Sequence, residues 1–221
     1  MAENKEQAAF RASAKGFLFS LTVLCLAGVA VWFGYMQFFT KGLEHLPAKV
    51  CEGTVERETV VDVLPHARSA EEGSDQHNSG DNLTFYCHVV TSGDSSLWGR
   101  AQIRPVSKDK WLASYRDSGG DNRIIRVSVN GIEAVAQLDP ENTTAGVYVP
   151  CVPPVVPSYN TPEAYAVITE VSVGGDTKAT GGALRQALTD VAYRLTEHAY
   201  ELAECKDSRN FPEDLPRYKD D

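Results

Sequence analysis

The chain has 221 residues, with 30 acidic against 21 basic side chains for a formal net charge of −9, 43% hydrophobic residues and five cysteines. A body of this size buries a core without metal or a dense disulfide mesh, because a domain of roughly 150 residues hides about 70% of its unfolded surface. The acidity excludes a nucleic-acid binder, since phosphate backbones demand a clustered Lys/Arg surface.

Residues 1–15 read as a short cytoplasmic tail, and Gly16 to Phe39 then run without one charge between Lys15 and Lys41. A bilayer core of about 30 Å takes about 20 helical residues, so the stretch predicts a transmembrane helix and makes the lipid bilayer the first partner, through residues 16–39. Trp32, Phe33, Tyr35, Phe38 and Phe39 gather at its C-terminal end as an interfacial aromatic belt. Cleavage as a signal peptide is disfavoured: the small-x-small site Gly28-Val29-Ala30 lies inside the apolar run, and cutting there would leave a greasy terminus. Leu24 before Cys25 is too large for a lipid-attachment site. Lys5, Arg11 and Lys15 nearly balance Lys41, Lys49 and Arg57, so orientation rests on the cysteines. Cys51, Cys87, Cys151 and Cys205 all follow the span, widely spaced and without a CxxC pair or zinc-type histidines. Two disulfides in an oxidising compartment are the simplest reading, with the N-terminus cytoplasmic and the C-terminal body outside the plasma membrane. Four cysteines allow three pairings; the reading leans to Cys51–Cys87 and Cys151–Cys205.

Residues 40–50 form a juxtamembrane connector and 51–205 one α+β domain. Three acids and four bases lie at or before residue 46, leaving 27 against 17 beyond it, a net charge of −10. Val55, Thr59, Val60 and Val63 predict a short helix from Glu52 to Leu64, stopped by Pro65. His66 to Asn82, polar and aperiodic, reads as a mobile loop. Leu83 to Thr91 and Leu97 to Val106 read as strands, and Ser107 caps a short helix carrying Trp111, Leu112 and Tyr115 that stops at Gly119-Gly120. Arg123 to Val129 and Ile132 to Leu138 alternate around Asn130-Gly131, the dipeptide of a type I′ hairpin turn. Ala145 to Cys151 gives another strand. Five of the eleven prolines then fall between Pro150 and Pro162, so that segment crosses the surface extended. Tyr165 to Val173 returns as a strand ended by Gly174-Gly175. Gly182 to Cys205 forms a long helix whose stripe of Leu184, Leu188, Val191, Leu195, Ala199 and Leu202 lies across one face of an antiparallel sheet. The tail, residues 206–221, is charged and expected to fray.

The chemistry-bearing residues do not converge. Ser107-Lys108-Asp109-Lys110, Ser128-Val129-Asn130 and Lys178-Ala179-Thr180-Gly181 follow the motif order of penicillin-binding serine enzymes, but the third is interrupted and precedes a helix, and Asn130 is needed for the turn. The histidines stand apart at 45, 66, 77, 88 and 198; His88 points to the opposite strand face from Cys87, and His198 sits near a helix end that favours a cation. Asp75, Asn78, Asp81 and Asn82 lack the spacing and closing Glu of a calcium loop. Phe85, Tyr86, Trp98 and Trp111 read as core and edge residues ahead of a ligand groove. Thr180-Gly181-Gly182 at a helix start has no base beyond Lys178 to hold an anion. Asn82 and Asn142 head sequons that matter only in a eukaryotic secretory pathway. No catalytic, metal or cofactor residue is assigned.

The segments LPAKVCEG after the span, FYCHV in the first strand, YVPC before the prolines and AYELAEC in the last helix resemble small membrane-anchored extracytoplasmic proteins of actinobacteria. The resemblance implies an α+β domain outside the membrane and no assigned activity. The leading functional expectation is a single-pass protein presenting an acidic, disulfide-stapled domain that binds or senses a protein partner or extracellular ligand, as an accessory subunit. The alternative is a cell-envelope hydrolase with dispersed catalytic residues, which requires a deep pocket where Ser or His meets Asp.

Overall fold

The computed structural model describes residues 20–35, 41–79, 82–117, 124–138, 143–157 and 164–218. Residues 20–35 are helical (α1), with Leu24 and Val31 each 72% exposed. Among the described residues no helix is long and apolar enough to cross a membrane. The outer parts of the expected span, 16–19 and 36–39, lie outside the described residues, as do Gly119-Gly120 and residues 158–163 of the proline segment.

The body that follows is α+β. Its main sheet has seven strands, all antiparallel, in the order β3-β4-β5-β9-β8-β7-β6. The strands are β3 (Ala70–Ser79), β4 (Asn82–Thr91), β5 (Ser96–Pro105), β6 (Ile124–Val129), β7 (Ile132–Leu138), β8 (Thr143–Pro150) and β9 (Tyr165–Gly174). A separate two-stranded ribbon joins β1 (Lys49–Val50) to β2 (Val55–Glu56), and the helices are α2 (Arg57–Val63), α3 (Lys108–Asp117) and α4 (Gly181–Leu202). Pro105 and Pro150 stand at strand ends, where a missing N–H costs the ladder least. The β6–β7 hairpin turns through Asn130 and Gly131 at φ 51° and 76°, the pair of positive values that a type I′ turn needs.

α4 covers one face of the sheet. Leu184, Leu188, Val191, Leu195 and Ala199 are all nearly inaccessible and pack on Phe85, Val89, Leu97, Val147, Val167 and Val171. Within this layer Thr196 Oγ1 lies 2.7 Å from both Thr169 Oγ1 and the Ala192 carbonyl, so the buried hydroxyls answer one another. The two disulfides are Cys51–Cys87 and Cys151–Cys205, with Cα atoms 5.4 and 5.2 Å apart. Cys25 is free and exposed.

On the other face α3 covers only the half made by β6 to β9. Trp111, Leu112 and Tyr115 pack there on Val135, Tyr148, Ala166 and Ile168. Glu133, 4% exposed, fastens this layer: its Oε1 accepts from Arg126 at 2.8 and 3.2 Å, and its Oε2 lies 3.6 Å from Lys108 Nζ at the start of α3. Nothing described covers the outer side of β3, β4 and β5.

Four segments differ from expectation. The expected loop from His66 to Asn82 contains β3, ten residues paired in full register with β4 from Ala70↔Thr91 to Ser79↔Asn82. β3 is an edge strand with no deeply buried side chain, so its stability comes from the ladder and no apolar alternation marks it. The expected helix from Glu52 to Leu64 survives only as α2, because Cys51, Glu52 and Gly53 turn through φ 55°, 58° and 79° and Val50 then pairs with Val55. The connector belongs to the body: Leu43 and Leu46 are 2% and 6% exposed, and Gly42 N–H donates to the Ala67 carbonyl at 2.8 Å. Residues 206–218, expected to fray, lie along α4. Leu215 is buried, Tyr193 donates to the Pro212 carbonyl, Arg194 Nη2 donates to the Glu213 carbonyl at 2.7 Å, and Tyr218 N–H donates to Gln186 Oε1 at 3.1 Å.

Candidate functional site

Two surfaces carry polar or aromatic groups in quantity. The first is a groove along the solvent side of α4, between the β1–β2 ribbon and α2 on one side and the C-terminal segment on the other. Three adjoining hollows of about 460, 220 and 420 Å³ share Glu56 and Arg194, then Thr59 and Asp190. Its charges answer each other: Lys49 pairs with Glu56 at 3.0 Å, Lys178 with Asp62 at 3.3 Å, and Arg194 with Glu197 and Asp214, each at 3.3 Å. Asp190 accepts from Gln186 Nε2 at 2.8 Å, and burial raises its carboxyl above the usual aspartate value.

The largest hollow holds His198. Its Nε2 is enclosed without a hydrogen-bond partner and lies 4.0 Å from Glu52 Oε2, while its ring meets Phe85 edge-on at 4.8 Å. Thr54 Oγ1 in the same hollow is also enclosed and without a partner. No hydrogen bond joins Thr54 to His198, so these residues do not form an assembled nucleophile and base. Among the described residues no group of three or more His, Cys, Asp or Glu is arranged to hold a metal.

The second surface is the uncovered half of the sheet. Along β4 the side chains of Leu83, Phe85, Cys87 and Val89 enter the core, so Thr84, Tyr86, His88 and Val90 face out. Along β5 the core takes Leu97, Gly99, Ala101 and Ile103, leaving Ser96, Trp98, Arg100 and Gln102 outside. The ladder sets these in rows. Gly73, His88, Trp98 and Ser172 stand opposite one another across β3, β4, β5 and β9. Asp75, Tyr86, Arg100 and Glu170 form the next row, two residues and about 7 Å along the strands.

Each row is built by contacts across the strands. A Cβ placed on Gly73 would lie 2.6 Å from His88 Cε1, so the absence of a side chain at 73 lets the imidazole lie over β3. Trp98 stacks on His88 with ring centroids 5.0 Å apart and planes 22° from parallel. One indole face is thereby covered, yet Trp98 remains 49% exposed, and its partner in the β9 ladder is the small Ser172. Arg100 Nη2 pairs with Glu170 Oε2 at 3.3 Å, and Tyr86, 38% exposed, meets His77 edge-on at 6.4 Å.

The structure separates the four aromatics that the sequence set together. Phe85 and Trp111 are core residues on opposite faces of the sheet, whereas Tyr86 and Trp98 are exposed on the outer face. His88 does point away from Cys87, but it serves as the support beneath Trp98. The three serine-enzyme motifs are apart in role and place. Ser107 caps α3, accepting from Lys110 N–H at 3.4 Å; Ser128 and Asn130 belong to the β6–β7 hairpin; Lys178 ties to α2 through the Val61 carbonyl at 3.0 Å. Asp75 and Asn78 lie on β3 and Asn82 on β4, while Asp81 and Asn142 fall outside the described residues. The row of His88 and Trp98 is what the sequence reading missed. Its signal was period-two alternation, since Tyr86, His88 and Trp98 occupy the parity opposite to Phe85, Cys87 and Leu97.

Comparison with protein-family models, with curated proteins and with solved structures finds no match for this chain.

Proposed function

We propose that the chain is a membrane-anchored binding protein, displayed on the oxidising side of a membrane, whose binding face is the uncovered half of the sheet. The observation that carries this reading is the exposed row of Trp98 on His88 beside Tyr86, on a sheet half that no helix among the described residues covers. Exposed Trp and Tyr desolvate large areas at small cost in rotamer entropy and are concentrated at binding hot spots. An aromatic surface on a body of net charge −10 is not a solubility device. Two disulfides support an oxidising compartment. The uncharged stretch from 16 to 39, helical and apolar on all sides where described, supports anchoring, because a helix with no polar face has no stable resting place in water.

Photocrosslinking from Gln102 in native membranes tests the face. A captured component that disappears in Trp98→Ala, with both disulfides formed and the melting midpoint unchanged, is the expected result. Equal capture by wild type and Trp98→Ala, or the chain recovered alone from Gln102, refutes it.

A further inference from the structure

We propose that this face binds a neutral carbohydrate chain, with one sugar ring stacked on the free side of Trp98 and its hydroxyls met by Arg100, Glu170 and Ser172. The inference rests on the binding-face reading and adds the chemical class of the ligand.

The niche beside Trp98 is amphipathic in a particular way. One wall is the indole, held upright by His88 behind it. Ser172 stands directly opposite Trp98 in the ladder, and the next row supplies the Arg100–Glu170 pair. Cross-strand neighbours stand about 5 Å apart and successive rows about 7 Å apart, the scale of a single pyranose ring. A sugar ring has a face of C–H groups and a rim of hydroxyls. The C–H face suits the electron-rich face of an indole, and the hydroxyls can both accept from a guanidinium and donate to a carboxylate.

An aliphatic protein side chain fits this niche poorly. It would cover Ser172 and the outer edges of the Arg100–Glu170 pair without meeting their remaining hydrogen-bonding capacity, and each polar group so buried carries a desolvation penalty. Val90, 39% exposed, is the one aliphatic among the outward residues of β4 and β5. Charge selects within the class. Arg100 and Glu170 cancel locally, so the niche offers an anion no net attraction, while the net charge of −10 on the surrounding body repels one. An uncharged glycan pays neither cost.

The test uses the full chain in a detergent without a sugar head group, titrated with cellohexaose, maltohexaose and chitohexaose, and with hexagalacturonate as the anionic control. The readouts are calorimetry and the indole N–H resonance of Trp98. Binding of at least one neutral hexasaccharide, with a dissociation constant of about 10 μM to 1 mM and a shifted Trp98 resonance, is expected. Trp98→Ala should weaken that binding at least tenfold, Trp98→Tyr should retain part of it, and hexagalacturonate should bind least. Failure of all three neutral probes, or equal affinity in Trp98→Ala, overturns the carbohydrate assignment. If Gln102 still crosslinks a partner in native membranes while the neutral probes fail, the binding face stands and its ligand class is wrong. If both experiments are indifferent to Trp98, the face itself is wrong.

Discussion

Tyr115 carries a buried hydroxyl that makes no hydrogen bond of normal geometry, its interaction with the Trp111 side chain being only weakly placed, and burial raises its ionisation far above the ordinary tyrosine range. The ring is well used, 5.3 Å from Trp111 and wedged over Gly146, where a Cβ would come within 2.0 Å of the hydroxyl oxygen. Removing the oxygen therefore removes an unmet polar group and keeps the packing. Tyr115→Phe is expected to raise stability by about 1 kcal/mol in urea unfolding, and a loss of similar size would show that the hydroxyl has a partner in solution. Asp190 gives a pH-dependent counterpart. Its folded value is raised by burial, opposed by the Gln186 amide and by Arg217 and Arg194, and reinforced by Asp214. In the window between the unfolded and the raised folded values the native state binds more protons, so stability falls as pH rises through that window and the penalty persists above it. Asp190→Asn should therefore melt higher than wild type at pH 7. The difference should shrink through that window and vanish only on acidification below the unfolded aspartate value, and a difference constant with pH would exclude this cause.

At the scale of elements, the sequence was most legible where burial imposes a period. β4, β5, the β6–β7 hairpin, β9 and α4 announce themselves because one face of each must be apolar, and Asn130-Gly131 adds turn chemistry that few other conformations satisfy. β3 was illegible for the complementary reason. With Ala70 to Ser79 at a sheet edge, its backbone supplies the pairing and its side chains need no pattern. The C-terminal segment was misread because charge suggested solvent, whereas its order comes from backbone carbonyls taken by Tyr193, Tyr200 and Arg194 and from a few apolar plugs such as Leu215 and Phe211. Leu215→Ala is expected to cost about 2–3 kcal/mol in urea unfolding and to expose Tyr193 to solvent. A change below about 0.5 kcal/mol would place this segment off the body in solution. The candidate site was half legible: strand parity told which residues face outward, but only the register set Gly73, His88, Trp98 and Ser172 in one row.

For the whole molecule, the proposed anchor and the two disulfides make one joint prediction. Protease added outside intact cells should degrade the body, leave an epitope placed before residue 16 intact, and leave that fragment in the membrane pellet after alkaline carbonate washing. Release of the chain by carbonate, or protection of the body, would refute the arrangement. The burial of Leu43 and Leu46 then has a consequence of reach. Leu43 follows Phe39 by four residues, a chain reach of at most about 14 Å. A domain of this length is about 40 Å across. On the proposed anchor, Trp98 would reach no further than roughly 55 Å above the bilayer. A ligand free in solution gains nothing from so short a leash. One that is itself fixed near the membrane meets the face at high local concentration, and weak stacking on a single indole is then enough to hold it.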